Sequence, residues 1–237
     1  MVYKPIIIVG GEPNSIFFEI FLKSLRFQKF KSPIILIASI KLIKLQMKKL
    51  NVKKKVRLID FSNLDKYQLD NKRINLINVS FNQNTAFDKI SYKSNIYIKK
   101  SFDIAFKILK NKITDKFING PISKKFFLKK KYLGITEYLA QKTNTKSFAM
   151  LIFNPNLSVC PLTTHLPLKK VSKKINKNLI KEKVKLINIF YKRHFKKKPK
   201  IALTGLNPHC ESVDKFNEDE KIIKPVIKSL IRSNYEV

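Results

Sequence analysis

The sequence predicts an α/β fold in which a mostly parallel sheet is covered by helices. Short runs rich in Ile, Val and Leu alternate with segments of helical periodicity, and this alternation is typical of βαβ units. We expect eight strands, at residues 5–9, 33–38, 56–61, 74–79, 117–119, 147–153, 157–162 and 200–203. A chain of 237 residues with 44% hydrophobic side chains can bury a sizeable core, which excludes a disordered protein.

The helical segments have the apolar spacing of helices that pack on a sheet. Positions spaced four, three and four apart form one helix face; they are Ile98, Phe102, Ala105 and Leu109, and again Ile180, Val184, Ile187 and Tyr191. A last helix is expected over residues 218–233, with Pro225 kinking it because proline clashes with the preceding turn. We see no linker and treat residues 1–237 as one region whose two lobes the sequence does not separate.

Charge and cysteine content exclude several classes of protein. The formal charge of +34 suggests a polyanion partner, but lysines are spread over the whole chain. The densest clusters, at residues 53–55, 129–131 and 196–198, have no aromatic residues interleaved for base stacking, so we do not expect nucleic acid to bind. A basic nucleic-acid-binding protein stays open as an alternative.

Cys160 and Cys210 lie in no CxxC spacing, which argues against disulfides and structural zinc. No apolar run of about 18 residues exists, so we expect a cytoplasmic protein without a membrane segment.

Glycine is rare, so the retained glycines are informative. The chain has five glycines, where a usual frequency of about 7% would give roughly 17. Four closely follow a predicted strand, and Gly134 opens a loop before a helix. We expect backbone with positive φ, or close approach to a ligand, at these positions; ordinary turns are the alternative. The surrounding sequences read GGEP at 10–13, NGPISK at 119–124, GITEYLA at 134–140 and GLNPH at 205–209.

Two histidines are candidate metal ligands. His165, in the run TTHLPL at 163–168, and His209 both follow predicted strands and lie beside a proline-stiffened turn. Two imidazoles at the carboxyl edge of a sheet could form part of a divalent-metal site, although a hydrogen-bonded structural role is the alternative. His194 continues an apolar helix stripe and is interpreted as structural.

These motifs, in this order, resemble the 4-hydroxythreonine-4-phosphate dehydrogenase family. The resemblance implies a three-layer α/β/α fold like that of isocitrate and isopropylmalate dehydrogenases. It also implies a homodimer and a divalent metal, zinc, magnesium or cobalt, held by three histidines at the subunit interface, of which His165 and His209 are two. The implied activity is the NAD-dependent oxidative decarboxylation of 4-phosphooxy-L-threonine to 3-amino-2-oxopropyl phosphate, in the biosynthesis of pyridoxal 5'-phosphate, or vitamin B6.

Four residues are candidate substrate contacts. Thr136 matches a substrate-binding threonine of the family, whereas Ile135 stands where the family has a substrate-binding histidine. Ser123 and Lys124 are added on chemical grounds, because a hydroxyl and an ammonium beside a Gly-Pro loop suit a phosphate; a surface lysine is the alternative for Lys124.

The sequence departs from the family pattern in three places. Isoleucine replaces the histidine at position 135. Residues of the first glycine-rich turn are changed; they are Glu12, Asn14, Ser15 and Phe17, and Phe17 is expected to crowd that turn. The chain also ends before the segment that carries the third metal histidine, a basic substrate-binding group and much of the NAD surface, so the expected fold is incomplete at its C-terminus. Cys210 or Glu211 is a possible replacement ligand.

These departures leave two alternatives open beside the implied dehydrogenase. One is a related dehydrogenase of another phosphorylated hydroxy acid, such as threonate or erythronate phosphate. The other is an inactive truncated remnant, which would bind neither NAD nor metal.

Overall fold

The computed structural model describes residues 3–129, 131–211, 213 and 215–237. It divides into two compact units, Met1–Ile135 and Thr136–Val237. No composition shift or linker in the sequence marks this boundary. Within the described part of the chain, no helix is both long enough and apolar enough to cross a membrane.

The first unit is built on a five-stranded sheet in which every pairing is parallel. The strands are β1 (Ile6–Val9), β2 (Ile34–Ala38), β3 (Val56–Leu58), β4 (Ile74–Asn78) and β5 (Phe117–Asn119), in the order β3-β4-β2-β1-β5. The helices are α1 (Phe17–Phe27), α2 (Ile40–Lys49) and α3 (Asn95–Lys110). The five strands expected in this part of the sequence are therefore confirmed.

Side-chain alternation along β2 produces three layers. Ile34, Leu36 and Ala38 join buried side chains of α1 and α2 in one hydrophobic core. Because successive strand residues point to opposite faces, Ile35 and Ile37 lie on the other side, where α3 packs against β1 and β2. Three residues of the predicted α3 stripe, Ile98, Phe102 and Ala105, are buried, whereas Leu109 is only partly buried. Each fully buried large apolar side chain contributes roughly 1.5–3 kcal/mol. The α/β class and the α/β/α layering are confirmed.

The second unit is mainly helical. Its helices are α4 (Ile135–Lys142), which begins at the boundary, α5 (Lys177–Phe195) and α6 (Lys224–Arg232). Ile180 and Val184 of α5 pack against Val226 and Leu230 of α6, as the apolar spacing of α5 predicted. The expected last helix is divided into a π-helical turn, Asp219–Ile223, and α6, which starts just before Pro225. This irregularity agrees with the predicted kink.

Three strand predictions were wrong. The segments 147–153 and 157–162 share one antiparallel bridge, in which Ile152 and Val159 exchange hydrogen bonds of 2.8 and 3.0 Å. The segment 200–203 makes no ladder among the described residues, although Ile201 N donates to the Glu236 carbonyl at 2.8 Å. Residues of all three segments instead line a cavity of about 610 Å³. Each segment contains a single β-branched residue, and Pro161 interrupts the second, so their composition favours a strand only weakly. A strand also needs a neighbour that completes its backbone hydrogen bonds.

Candidate active site

The glycines at the carboxyl edge of the sheet allow two loops to touch. Gly11 has a φ of 70°, and a Cβ there would lie 2.4 Å from the Pro121 carbonyl oxygen. A Cβ at Gly120 would lie 2.3 Å from the Gly10 oxygen. The Glu12 amide donates to the Pro121 carbonyl at 2.7 Å, which joins the loops that follow β1 and β5. The positive φ expected at a glycine is thus confirmed at Gly11, and the close approach at these glycines is to backbone.

The altered first turn is internally satisfied. The Glu12 side chain is buried and accepts hydrogen bonds from Ser94 Oγ at 2.7 Å and from the Asn14 amide at 3.3 Å. The Ser15 hydroxyl donates to the Glu12 carbonyl at 2.7 Å. Phe17 does approach the loop, since an ideal Cβ at Gly120 would be 3.0 Å from its ring, but it is half-buried against the core of the first unit. Phenylalanine is therefore accommodated in this turn.

Ser123 and Lys124 begin a π-helical turn after β5, Lys124–Leu128. The Ser123 hydroxyl accepts a hydrogen bond from the Phe126 amide at 3.1 Å, so its oxygen already caps the turn. Its O–H remains a donor. Lys124 is exposed and makes no ion pair with another described residue. The anion-binding role of these two residues stays a prediction.

In the second unit, the start of α4 is tied to the loop that carries His165. Ile135 and Thr136 are the first two residues of α4 and are half-buried. The next residue, Glu137, accepts a hydrogen bond from the Thr164 hydroxyl through Oε1 at 3.0 Å. Its other oxygen, Oε2, is buried and has no hydrogen-bond partner among the described residues. The helix that offers Thr136 thus holds the residue directly before His165.

Both candidate metal histidines have left-handed backbone. The φ angles are 57° at His165, 55° at His209 and 58° at the adjacent Cys210. Residues other than glycine rarely adopt this region, and each such residue costs on the order of 1–3 kcal/mol unless its surroundings enforce it. Both imidazoles are exposed, and neither has a hydrogen-bond partner among the described residues. Strained backbone of this kind clusters at functional sites.

A buried carboxylate holds the loop that carries His209. Asp219 is 1% exposed and accepts the Leu206 amide at 2.9 Å, the Asn207 amide at 3.1 Å and the Asn207 side-chain amide at 3.0 Å. Burial alone raises the pKa of the Asp219 carboxyl, but these hydrogen bonds outweigh it and lower the pKa from its ordinary value. A Cβ at Gly205 would lie 2.6 Å from Cys210 Sγ and 3.1 Å from Asp219 Oδ1, so the loop folds closely around the carboxylate.

The two histidine loops border one space. Thr163, two residues before His165, and Gly205, four residues before His209, both line the cavity of about 610 Å³ in the second unit. Neither imidazole lines this cavity, but each is an available ligand of a kind that divalent transition metals prefer. Among the described residues, no group of three His, Cys, Asp or Glu side chains could hold an ion, so Cys210 and Glu211 do not complete a set.

Other predicted residues are not part of this arrangement. His194 lies in α5 and packs on the Phe190 ring at 4.8 Å, which agrees with its structural interpretation. Sequence reasoning missed the roles of Glu137 and Asp219. Glu137 lies inside the GITEYLA motif at 134–140, and Asp219 lies at the start of the expected last helix, where acidic residues are common.

Comparison with known proteins gives a consistent result. A model of the family described as pyridoxal phosphate biosynthetic protein PdxA matches residues 29–237. The 4-hydroxythreonine-4-phosphate dehydrogenase of Sulfurihydrogenibium sp. is 33% identical over 232 residues, which are 96% of this chain and 70% of that protein. The D-threonate 4-phosphate dehydrogenase of Pectobacterium atrosepticum is 31% identical over 107 residues, 45% of this chain and 33% of that protein.

A solved structure supports the fold. The 4-hydroxythreonine-4-phosphate dehydrogenase of Klebsiella pneumoniae superposes with a TM-score of 0.84 at 23% identity, covering 99% of this chain and 74% of that one. At this identity the comparison speaks to architecture alone, and it agrees with the three-layer α/β/α fold.

Proposed function

This chain belongs to the PdxA family of pyridoxal phosphate biosynthetic proteins, and we propose that it is a 4-hydroxythreonine-4-phosphate dehydrogenase. The reaction is the NAD-dependent oxidative decarboxylation of 4-phosphooxy-L-threonine to 3-amino-2-oxopropyl phosphate, a step in the biosynthesis of pyridoxal 5'-phosphate. One observation carries the proposal: His165 and His209 have left-handed backbone on loops that are each held by a carboxylate and that border one cavity.

The roles of the residues in the second unit follow from their chemistry. The imidazoles of His165 and His209 would hold a divalent ion, zinc, magnesium or cobalt, and the Thr136 hydroxyl would hydrogen-bond the substrate. When bound, the ion supplies Lewis-acid polarisation of the substrate oxygen and NAD supplies the hydride acceptor. Glu137 and Asp219 keep the two histidine loops in place before substrate arrives, so that little ordering remains to be done on binding.

The assembly is a further part of the proposal. We propose a homodimer with the metal at the subunit interface, where a further ligand joins the two histidines, and a cytoplasmic location. Family membership supports this arrangement. Sedimentation equilibrium with and without zinc tests it, because a shared ion should strengthen association. Association that zinc leaves unchanged argues against an ion at the interface.

A second substrate is favoured by one specific residue. Ile135 offers no hydrogen-bond donor or acceptor where the family has a substrate-binding histidine, and one relative of this chain is a D-threonate 4-phosphate dehydrogenase. The alternative activity is therefore oxidation of a phosphorylated hydroxy acid such as threonate or erythronate phosphate. Turnover measured with each acid at equal concentration distinguishes the two activities.

Calorimetric titration of zinc into the purified chain tests the metal site. We expect binding by the parent protein and its loss in a His165→Ala, His209→Ala double variant. His194→Ala is the matched control, because this exposed histidine packs on Phe190 outside both loops and should not alter zinc binding. NADH formation from 4-phosphooxy-L-threonine is then assayed on the same proteins. Equal zinc affinity in the parent and the double variant would reject the site.

A further inference from the structure

The loop 205–210 is folded around the carboxylate of Asp219, which lies 13 residues after Leu206 and 12 after Asn207. Asp219 opens the π-helical turn before α6, and its own amide donates to Asn217 Oδ1 at 2.8 Å. Its Oδ1 accepts the Leu206 amide, and its Oδ2 accepts both the backbone and the side-chain N–H of Asn207. Three donors therefore converge on a carboxylate that is 1% exposed, which is the environment a buried carboxylate requires.

This arrangement fixes the start of the turn that carries His209. Asn207 is two residues before His209, and its carbonyl accepts the Cys210 amide at 3.0 Å, which closes the turn Pro208–Cys210. Asp219 thus fixes the residue on which that turn is built. Without the carboxylate, the backbone N–H groups of Leu206 and Asn207 would lose their partner, and the left-handed backbone at His209 would have less to enforce it.

We infer that Asp219 is a positioning residue, which sets the backbone of residues 206–207 so that the His209 imidazole is presented to a divalent cation. The inference rests on the proposed function, because it presumes that His209 binds the ion. Asp219 itself is not a ligand in this account, since its two oxygens are already occupied by N–H donors.

Asparagine is the sharpest substitution at this position. It preserves the shape of aspartate, but one carboxylate oxygen is replaced by an NH₂ group, which is a donor. Whichever way the amide is turned, this NH₂ group would face an N–H of Leu206 or Asn207 instead of accepting a hydrogen bond from it. The loop should lose its fixed geometry while the histidines remain in the chain. Val226→Ala is the matched control, because Val226 is 1% exposed in the core against which Leu206 packs. This variant loosens apolar packing but leaves the hydrogen bonds to Asp219 in place.

Zinc titration of the parent, Asp219→Asn, His209→Ala and Val226→Ala tests the inference, with folding checked by circular dichroism. We expect Asp219→Asn to bind zinc at least tenfold more weakly than the parent, and Val226→Ala to bind like the parent although its thermal midpoint is lower. Cobalt spectra of the parent and Asp219→Asn should differ in the ligand-field region.

If His209→Ala loses zinc and Asp219→Asn keeps the parental affinity, the inference is overturned and the proposed function stands. If the parent binds no zinc, or His209→Ala binds like the parent, the metal site and this inference are rejected together.

Discussion

Glu137 and Thr164 are joined by a hydrogen bond of 3.0 Å between Thr164 Oγ1 and Glu137 Oε1. It connects the first turn of α4 to the loop before His165, and Glu137 Oε2 has no second partner among the described residues. Most of the compensation for burying this carboxylate therefore comes from one hydroxyl. Thr136 directly precedes Glu137, and His165 directly follows Thr164, so this one hydrogen bond connects the candidate substrate residue to the candidate metal ligand.

Replacement of Thr164 by valine tests that link. Valine keeps the shape and removes the hydroxyl, so neither oxygen of Glu137 would be hydrogen-bonded by a described residue. We expect the free energy of unfolding to fall by about 1–3 kcal/mol, the usual cost of leaving a buried polar group without a partner. Urea denaturation measures it. Thr163→Val is the matched control, because its hydroxyl makes no hydrogen bond with a described residue. Equal losses in both variants would contradict the assigned role of the bond.

Alanine at Gly11 should destabilise the first unit. Its φ of 70° costs roughly 1–3 kcal/mol for a residue with a side chain, and the new Cβ would lie 2.4 Å from the Pro121 oxygen, so the loops after β1 and β5 must separate. Asn51→Ala is the control, because Asn51 is exposed with a φ of 51° and reports the cost of the backbone conformation without a clash. We expect the larger loss of unfolding free energy at Gly11, by denaturant titration. A loss no greater than that of Asn51→Ala would show that the close approach is unimportant.

The sequence predicts the fold well where burial alone decides it. The runs at β1 and β2 are apolar at every position, as expected for strands covered on both faces, and both strands formed. The segment 157–162 is less apolar, since it contains Ser158 and Pro161, and it did not form a strand. Proline cannot donate to a ladder, and ladder formation also depends on neighbours that composition does not reveal. The pattern points to His165 and His209 because each comes after a predicted strand and lies beside a proline. It missed Asp219 because the role of a carboxylate depends on the N–H groups that face it, and those come from residues 12 and 13 positions away.

The Asp70 carboxylate should stabilise the first unit at neutral pH and lose this effect in acid. Burial alone raises the pKa of its carboxyl, but hydrogen bonds from the Arg73 side chain and from the Arg73 and Lys72 amides outweigh it and lower the pKa below its ordinary value of 3.8. A lowered folded-state pKa contributes stability that is present above 3.8 and is lost as pH falls through the folded value. We expect a contribution below about 1 kcal/mol, because the pair with Arg73 is partly exposed.

Urea titrations at neutral pH and below pH 3.8 measure the contribution of Asp70. Relative to the parent, Asp70→Asn should be less stable at neutral pH, and the difference should shrink in acid. Asp65→Asn, which removes an exposed carboxylate in the same unit, is the control for loss of one negative charge. A difference for Asp70→Asn that stays constant with pH would rule out the proposed linkage.

Histidine at position 135 should change substrate preference. Ile135 is the half-buried first residue of α4, next to Thr136, and offers no polar contact. An imidazole there adds a donor and an acceptor, and one new hydrogen bond to a polar substrate group is worth on the order of 1–2 kcal/mol, or about tenfold or more in kcat/KM. We expect Ile135→His to raise kcat/KM for 4-phosphooxy-L-threonine by that factor, whereas Ile135→Leu, which stays apolar, should leave it unchanged. Steady-state kinetics with this substrate and with D-threonate 4-phosphate gives the preference of each variant. If histidine lowers kcat/KM for 4-phosphooxy-L-threonine while turnover of D-threonate 4-phosphate by the parent is the faster, the apolar residue is adapted to the second substrate, and the alternative activity becomes the better account of this chain.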